Sequence, residues 1–204
     1  MSGREVVVLG AGGHAKVVIS ALRAAGQVPV GVFDDRRELW GHSVLGVSVL
    51  GPVVEAASKE HPAIIAIGDN AVRERLADAL ALEWIAVVHP HAWVDPTAHL
   101  GEGTVVFAGA VVQPDVKIGR HAIVNTSASV DHDGQIGEFA QIAPGAHLGG
   151  NVVLRQGAFV GLGASVIQGM EIGEWSIVGA GATVVGDVPP RTTVLGTPAR
   201  PRQS

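Results

Sequence analysis

Aliphatic residues recur with a strict period of six in the second half of the chain. Every sixth residue from Val94 to Val184, sixteen positions in all, is valine, leucine or isoleucine. The residue four positions further on is nearly always small or β-branched, with Gly134 and Met170 as exceptions. This hexapeptide repeat predicts a parallel β-helix of about five coils, each built from three hexads or about 18 residues. We expect the aliphatic residues to fill the axis and the glycines that often follow them to form the corners.

The first 88 residues follow a different pattern. A buried-strand run, EVVVLG, precedes a segment with helical spacing, HAKVVISALRAAG, and a second strand, VPVGVFDD. A further strand and helix are predicted in AIIAIGDNAVRERLADALA. Strands that alternate with helices predict a small Rossmann-like α/β domain with a parallel sheet. Because the period changes in a Pro- and His-rich segment, we place the boundary near residue 90, between domains 1–90 and 91–204.

Composition limits the chemistry that this chain can perform. The 204 residues include no cysteine, which excludes a disulfide scaffold, a thiolate nucleophile and a cysteine-type zinc site. A formal net charge of −5, without a basic cluster or a tyrosine for base stacking, argues against a nucleic-acid partner. No apolar stretch approaches the roughly 18 residues of a membrane span. We therefore expect a cytoplasmic protein, without membrane insertion, whose ligands are small molecules.

A glycine turn between the first strand and the first helix is the first candidate site. Gly10, Gly12 and Ala15 approximate the G-x-G-x-x-G/A fingerprint, in which backbone amides and a helix amino terminus receive phosphate. Asp34 and Asp35 follow the second strand, where a carboxylate can accept from a ribose hydroxyl or a base edge. Because the domain is only half of a dinucleotide-binding fold, we expect a mononucleotide, such as the nucleoside diphosphate of a nucleotide-sugar.

The same turn has a purely structural interpretation. A glycine turn can serve only close packing of a strand on a helix, with the acidic residues merely solvated. His14 and Lys16 favour the binding interpretation, because both can face a pyrophosphate from the first helical turn.

The segment ASVDHDGQIGE places a histidine between two aspartates in a region that otherwise avoids charge. His132 lies two residues after an aliphatic position of the repeat, so we expect it to point outward at a corner. Residues 18 apart stack on neighbouring coils about 4.8 Å apart, which puts Gly150 over His132 and Pro114 under it. A carboxylate of Asp131 or Asp133 can hold the imidazole and set its tautomer, as a general base requires. The sequence leaves open which aspartate does so.

Together these motifs resemble the NeuD/PglD-type bacterial sugar O- and N-acyltransferases. The resemblance covers essentially the whole chain and rests on GAGGHAK, FDD, AIGDN, NTSASVDHD, IGEF and GTPAR. It implies a left-handed parallel β-helix, a homotrimer with sites between neighbouring β-helices, and acetyl-CoA as co-substrate without a metal. It also implies direct acetyl transfer to the amino group of a UDP- or GDP-linked amino-dideoxy sugar, with His132 as the base. PglD-type members of this family have Glu where this chain has Asp133.

Site residues are assigned in both domains by these motifs and the resemblance. The catalytic group comprises His132, Asp133 and Asp131. Nucleotide-sugar binding is assigned to Gly12, Gly13, His14, Lys16, Asp34, Asp35, Gly68, Asn70 and Asn125. Acetyl-CoA binding is assigned to Gln141, Gly150, Leu162 and Arg200.

Gly150 and the C-terminal arginines are expected to contact different parts of acetyl-CoA. Because Gly150 stacks over His132, its amide can polarise the thioester carbonyl. The final segment, PPRTTVLGTPARPR, is predicted to end the repeat as a loop. It brings Arg191, Arg200 and Arg202 near the last coils, where these cations can meet the phosphates of CoA.

Other functions are open at this stage. The acceptor can be a hydroxyl, as in a sialic-acid-type sugar O-acetyltransferase, and a β-helix can also be a non-catalytic trimeric scaffold. A zinc enzyme of the carbonic anhydrase kind needs three converging histidines, whereas His121, His132 and His147 occupy different phases of the coil. A nucleotidyltransferase is disfavoured, because the N-terminal region lacks the size and the basic glycine-rich loop of such enzymes.

Overall fold

The computed structural model describes residues 3–202, which form two compact units. One unit ends at His89 and the other begins at Pro90. Each unit buries its own set of apolar side chains. No helix within residues 3–202 is long and apolar enough to cross a membrane.

The N-terminal unit is a mainly parallel sheet with helices. Its elements are β1 (Glu5–Leu9), α1 (Gly13–Ala24), β2 (Val28–Phe33), β3 (Ser43–Val44), β4 (Val47–Gly51), β5 (Ala63–Ile65), α2 (Asn70–Ala79) and β6 (Val87–Val88). Short 3-10 helices lie at Arg37–Leu39 and Val53–Ser58. The sheet order is β3-β4-β2-β1-β5, and β1 is parallel to both β2 and β5. The Rossmann-like arrangement predicted from the sequence is confirmed.

The parallel strands bring the glycine turn and the acidic residues to one edge of this sheet. Gly10 directly follows β1 with a φ of +104°, a conformation that strongly favours glycine, and α1 begins at Gly13. Asp34 and Asp35 follow β2 directly. Because the carboxyl ends of parallel strands meet at the same edge, these residues lie where α/β sheets bind their ligands.

The C-terminal unit is a left-handed parallel β-helix of very short strands. They are β7 (Trp93–Val94), β8 (His99–Leu100), β9 (Val105–Val106), β10 (Val111–Val112), β11 (Lys117–Ile118), β12 (Ile123–Val124), β13 (Ser129–Val130), β14 (Gln135–Ile136), β15 (Gln141–Ile142), β16 (His147–Leu148), β17 (Val153–Leu154), β18 (Phe159–Val160), β19 (Ser165–Val166), β20 (Glu171–Ile172), β21 (Ile177–Val178), β22 (Thr183–Val184), β23 (Thr193–Leu195) and β24 (Arg200–Pro201). Every third strand pairs, so three sheets form the sides of a prism. The first sheet runs β7-β10-β13-β16-β19-β22, the second β8-β11-β14-β17-β20, and the third includes β9-β12-β15-β18-β21-β23-β24.

The strands of the β-helix pair in the register that the hexapeptide repeat predicts. Val112 pairs with Val130, and Val130 pairs with Leu148, so partners are 18 residues apart. From Val106 to Val184, each aliphatic residue of the repeat is at most 4% exposed. Burying such a side chain contributes about 1.5–3 kcal/mol, so this axial column is the main source of stability in the β-helix.

The glycines that follow the aliphatic residues do not form the corners, so that prediction was wrong. A Cβ on Gly119 would lie 2.6 Å from the backbone N of Glu138 in the next coil. The left-handed backbone conformation of the corner falls two residues later, as at His121 (φ +54°) and Asp133 (φ +60°). The glycines are needed because neighbouring backbones approach closely there, not because the chain turns there.

The C-terminal segment also differs from the predicted loop. β23 continues the third sheet, because Val194 pairs with Val178 at a spacing of 16 residues instead of 18. β24 then pairs antiparallel with β23, with Arg200 opposite Leu195. The segment therefore closes the β-helix with a shortened coil and a hairpin.

Candidate active site

The Asp-His-Asp segment forms the corner between the first and second sheets of the β-helix. β13 ends at Val130 and β14 begins at Gln135, so residues 131–133 cross from one sheet to the other. Asp133 adopts the left-handed conformation, which aspartate tolerates better than most residues. Val130 is fully buried on the axis, whereas His132 is exposed outside the coil. The corner therefore leaves the imidazole on the outer surface of the coil, where a ligand can reach it.

Asp133, not Asp131, holds the imidazole of His132. The Nδ1 atom of His132 lies 2.7 Å from Oδ2 of Asp133. Oδ1 of Asp131 instead accepts a hydrogen bond from the backbone N–H of His132, at 2.9 Å. When Nδ1–H donates to a carboxylate, Nε2 carries the lone pair, which is the tautomer that a general base needs. The geometry thus answers the question that the sequence left open.

The surroundings of His132 make its imidazole a stronger base. The hydrogen bond to Asp133 raises the pKa of His132 above its ordinary value of 6.5, and the charges of Asp131 and Asp133 add to this. Partial desolvation opposes the shift. Because both side chains of the pair are about half exposed, water screens their attraction.

Gly150 of the next coil lies against the ring of His132. A Cβ built on Gly150 would be 2.6 Å from Cε1 and 2.7 Å from Nε2 of the imidazole. On the other side, the carbonyl of Pro114 accepts from the N–H of Asp133 at 3.1 Å. The stacking predicted from the repeat is therefore confirmed. In the described part of the chain, the N–H of Gly150 donates to no acceptor, so it is available to polarise a carbonyl beside the base.

Three other predicted site residues lie elsewhere on the prism. Gln141 is in β15 of the third sheet and is only 8% exposed. Asn125 and Leu162 follow β12 and β18, at the corner between the third and first sheets. Leu162 is 59% exposed. A single chain therefore does not bring these residues beside His132.

Three arginines are exposed at the C-terminal end of the β-helix. Arg191 occupies a left-handed corner with a φ of +55°. Arg200 lies in β24, where its Nη1 donates to the carbonyl of Ala199 at 2.9 Å, and Arg202 follows directly. Their exposed guanidinium groups suit phosphate binding at this end.

The other histidines considered for zinc have different surroundings. His121 is buried and stacks on Phe139, with ring centroids 5.4 Å apart. His147 lies in the first sheet, and its Nδ1 is 2.9 Å from Oγ of Ser129. Across residues 3–202, no group of three His, Asp or Glu side chains is arranged to hold a metal ion.

A cavity of about 630 Å³ opens at the carboxyl edge of the N-terminal sheet. Residues predicted to bind the nucleotide-sugar that line it are Gly12, Gly13, His14, Asp34, Asp35 and Gly68. Lys16 and Asn70 are not among the lining residues. Arg36 and Arg75, which sequence reasoning missed, do line it. Arg36 could have been found from the sequence, because it directly follows two aspartates at the end of a predicted strand. No comparable sequence signal marks Arg75, which lies within α2.

Asp34 is committed to groups of the protein itself. Its carboxylate accepts from the backbone N–H of Ala11 at 2.8 Å and of Arg36 at 3.0 Å. It also accepts from Nε and Nη2 of Arg36, both at 2.9 Å. The side-chain hydrogen bond from Arg36 lowers the pKa of Asp34 to about 2. These four bonds fill its acceptor sites, so Asp35, rather than Asp34, is the carboxylate that can accept from a ligand.

His14 is a neutral group in this cavity at pH 7. Burial lowers its pKa to about 4, and the charge of Arg73 acts in the same direction. Arg73 is fully buried, and its Nη1 donates to the carbonyls of Ile67 at 3.2 Å and Gly68 at 3.0 Å. These bonds fix the loop between β5 and α2. A phosphate would therefore meet an uncharged imidazole at His14.

Comparison with known proteins shows which family this chain resembles. The family model for the PglD N-terminal domain matches residues 5–80. The structure of a GDP-perosamine N-acetyltransferase from Caulobacter crescentus, a histidine-to-alanine variant in complex with CoA and GDP-perosamine, is 38% identical to this chain. That match covers 98% of this chain and 97% of the other, with a TM-score of 0.93. The acetyltransferase domain of PglB from Neisseria gonorrhoeae, in complex with acetyl coenzyme A, is also 38% identical, with coverages of 98% and 100% and a TM-score of 0.93.

Curated relatives match over shorter stretches. A UDP-N-acetylbacillosamine N-acetyltransferase of Bacillus subtilis is 40% identical over 112 residues, 52% of each protein. An uncharacterized protein of Acanthamoeba polyphaga mimivirus is 31% identical over 116 residues, which are 56% of this chain and 23% of that protein. The chain thus spans about half or less of the length of these two curated relatives, but nearly all of the length of the two solved structures. On this similarity over 98% of its residues, the chain belongs to the NeuD/PglD-type family of bacterial sugar acetyltransferases, two of whose solved structures contain CoA or acetyl-CoA.

Proposed function

We propose that this protein is a cytoplasmic enzyme that moves the acetyl group of acetyl-CoA to the amino group of a nucleotide-linked amino-dideoxy sugar. The observation that carries the proposal is the His132–Asp133 pair, 2.7 Å apart, against Gly150 of the next coil. Similar proteins support both substrates. One is a GDP-perosamine N-acetyltransferase solved with CoA and GDP-perosamine, and another is a UDP-N-acetylbacillosamine N-acetyltransferase.

The amine of the acceptor must lose a proton before it can form an amide. An amino sugar is largely protonated at neutral pH and cannot attack a thioester in that form. In the proposed reaction the neutral amine attacks the carbonyl carbon, and Nε2 of His132 takes the proton that the nitrogen loses. The N–H of Gly150 donates to the oxyanion that forms. When the carbon–sulfur bond breaks, the imidazolium returns the proton to the CoA thiolate, which restores the enzyme.

The transfer is direct, without an acetyl-enzyme on sulfur. The chain has no cysteine, so no thiol can carry the acetyl group. The carboxylate of Asp133 keeps the ring in place and stabilises the imidazolium while it holds the proton.

In this proposal the complete site lies between two copies of a homotrimer. His132 lies at the corner between the first and second sheets, whereas Asn125 and Leu162 lie at the corner between the third and first. Both corners border the first sheet. A ring of three copies can therefore set one corner of each copy against the other corner of its neighbour, with acetyl-CoA between them and Arg200 near its phosphates.

The test is an acetyl-transfer assay on the purified protein. GDP- and UDP-linked 4-amino-4,6-dideoxy sugars are offered with acetyl-CoA, while released CoA and the mass of the sugar are followed. We expect CoA release only with an amino sugar, and one acetyl group gained by that sugar. The matched control is the same sugar with a hydroxyl in place of the amine. Failure to release CoA with every acceptor, together with no gain in thermal stability from acetyl-CoA, would instead support a scaffold.

The rate should depend on the protonation of His132. Because the base must be neutral, kcat/KM should rise with pH through an inflection above 6.5, as the raised pKa of His132 requires. Asp133→Asn removes the charged hydrogen-bond acceptor and should move this inflection to lower pH. Asp131→Asn should move it less, because Asp131 acts only through its charge. The amine of the substrate titrates alike in all three proteins, so the difference between their profiles isolates His132. Equal inflections in wild type and Asp133→Asn would contradict this assignment.

Assembly is open to direct measurement. Light scattering should give about three times the 20.9 kDa of one chain. Leu162→Glu, at the exposed corner, should raise the KM for acetyl-CoA by about tenfold or more, because it puts a charge where an apolar contact is proposed. Leu45→Glu, at an exposed leucine of the N-terminal unit, is the matched control. A monomer with full activity would rule out the shared site.

A further inference from the structure

We infer that the N-terminal cavity selects guanine, and that Asp35 and Arg36 recognise the base of a GDP-linked sugar. The inference rests on the proposed function, since it names the base of that substrate. The two residues are adjacent in the chain, and both line the cavity.

Arg36 is fixed in one orientation by Asp34. Its Nε and Nη2 atoms each donate to one oxygen of Asp34, at 2.9 Å, in the bidentate fork geometry of an arginine–carboxylate pair. The same carboxylate is itself held by the N–H of Ala11 in the glycine turn, at 2.8 Å. Asp34 is therefore a positioning residue that links Arg36 to the glycine turn at the amino terminus of α1.

This orientation leaves the outer edge of the guanidinium for a ligand. Because the group is planar, Nη1 and the second hydrogen of Nη2 point away from Asp34. Within residues 3–202, Nη1 of Arg36 has no acceptor. The side chain is 53% exposed. The outer edge thus offers neighbouring N–H donors and no acceptor.

Asp35 offers the complementary chemistry beside it. Its Oδ1 accepts from the backbone N–H of Val53 at 3.0 Å, which sets the orientation of the carboxylate. Its Oδ2 has no donor in the described part of the chain. The residue is exposed and lines the same cavity as Arg36. A carboxylate acceptor and an arginine donor fork therefore lie side by side.

Among the common bases, guanine matches this pair best. Along one continuous edge it presents two acceptors, N7 and O6, followed by two donors, N1–H and the N2 amino group. Arginine paired with N7 and O6 is the commonest specific contact to guanine. The edge of uracil alternates acceptor, donor and acceptor, so it can give each side chain only one bond. Cytosine presents two neighbouring acceptors, O2 and N3, but only one donor group beside them, the N4 amino group. Adenine has no two neighbouring acceptors on one edge. The glycine turn and neutral His14 are left for the diphosphate.

Calorimetric titration of the full-length protein with GDP and with UDP, without CoA, tests the inference. We expect wild type to bind GDP at least about fivefold more tightly than UDP, the lower end of the discrimination given by one bidentate base contact. Arg36→Gln and Asp35→Asn should each remove most of this ratio. Arg37→Gln is the matched control, since Arg37 lies outside the cavity and stacks on Trp40; it should keep the ratio.

Arg36→Lys separates base recognition from attraction to phosphate. Lysine keeps the charge but not the fork, so the ratio should fall as in Arg36→Gln. If Arg36→Lys retained the ratio, Arg36 would act on the phosphates, and the inference would be overturned. Equal or tighter binding of UDP by wild type would also overturn it, while leaving the proposed acetyl transfer intact. If wild type bound neither nucleotide, the nucleotide site of the proposed function would itself be wrong.

Discussion

His132→Ala is expected to lower kcat by about 10²- to 10⁴-fold, the usual contribution of a general base. The KM of both substrates should change little, because the ring acts on the proton of the reacting amine and holds neither substrate. Steady-state kinetics with acetyl-CoA and the amino sugar measure both quantities. Near-wild-type kcat in this variant would remove the mechanism.

The two aspartates beside the histidine provide matched variants for this experiment. Asp133→Ala should cost less than His132→Ala, because Asp133 orients the ring through Nδ1 but does not transfer the proton. Asp131→Ala should cost less again, because the Asp131 carboxylate accepts from the backbone N–H of His132 and not from the ring. A larger loss in Asp131→Ala than in Asp133→Ala would reassign the orienting carboxylate.

Gly150→Ala is expected to lower kcat by about 10²- to 10³-fold, the cost of losing one oxyanion donor. The new methyl group would lie 2.6 Å from Cε1 of His132, so the imidazole must move away. That movement separates the base from the N–H that is proposed to polarise the thioester. Guanine recognition in the N-terminal cavity should be unchanged, since none of its lining residues belongs to this corner.

Gly186→Ala is the control for the added methyl group. Gly186 lies two coils further on in the same column of the β-helix, and a Cβ there would meet no atom of residues 3–202 within 4 Å. Neither glycine has a left-handed φ, so alanine strains neither backbone. Thermal melting would show that both variants fold. Equal activity of Gly150→Ala and wild type, or equal loss in both glycine variants, would contradict the assigned contact.

The β-helix was predictable because its evidence is repeated along the chain. The inward position recurs every six residues, and each coil adds another independent sample of the same pattern. The stack of Gly150 on His132 followed from this register alone, since partners in the sheets are 18 residues apart. The role of the glycines did not follow. A glycine for a turn and a glycine for close approach are the same letter, and only the distance from Gly119 to the next coil separates them.

The N-terminal cavity shows the same division between what the sequence predicts and what the structure adds. The glycine turn and Asp35 were found from strand ends and spacing, and they do line the cavity. Lys16 was assigned to the pyrophosphate because it lies in the first helical turn, but it does not line the cavity. Arg36 was missed because its position depends on hydrogen bonds to Asp34 that no spacing rule contains.

By itself, the sequence determined the two domains' fold classes, the outward corner at His132 and its neighbour in the next coil. These features follow from the periodic spacing of residue types, which can be read along the chain without knowledge of tertiary contacts. The tertiary structure alone decided which aspartate holds the imidazole. Asp131 and Asp133 are both one residue from His132, but the left-handed backbone at Asp133 turns its carboxylate to Nδ1, while that of Asp131 meets a backbone N–H. Hydrogen bonds with a range of about 3 Å depend on such atomic positions, and equal distances along the chain do not distinguish them.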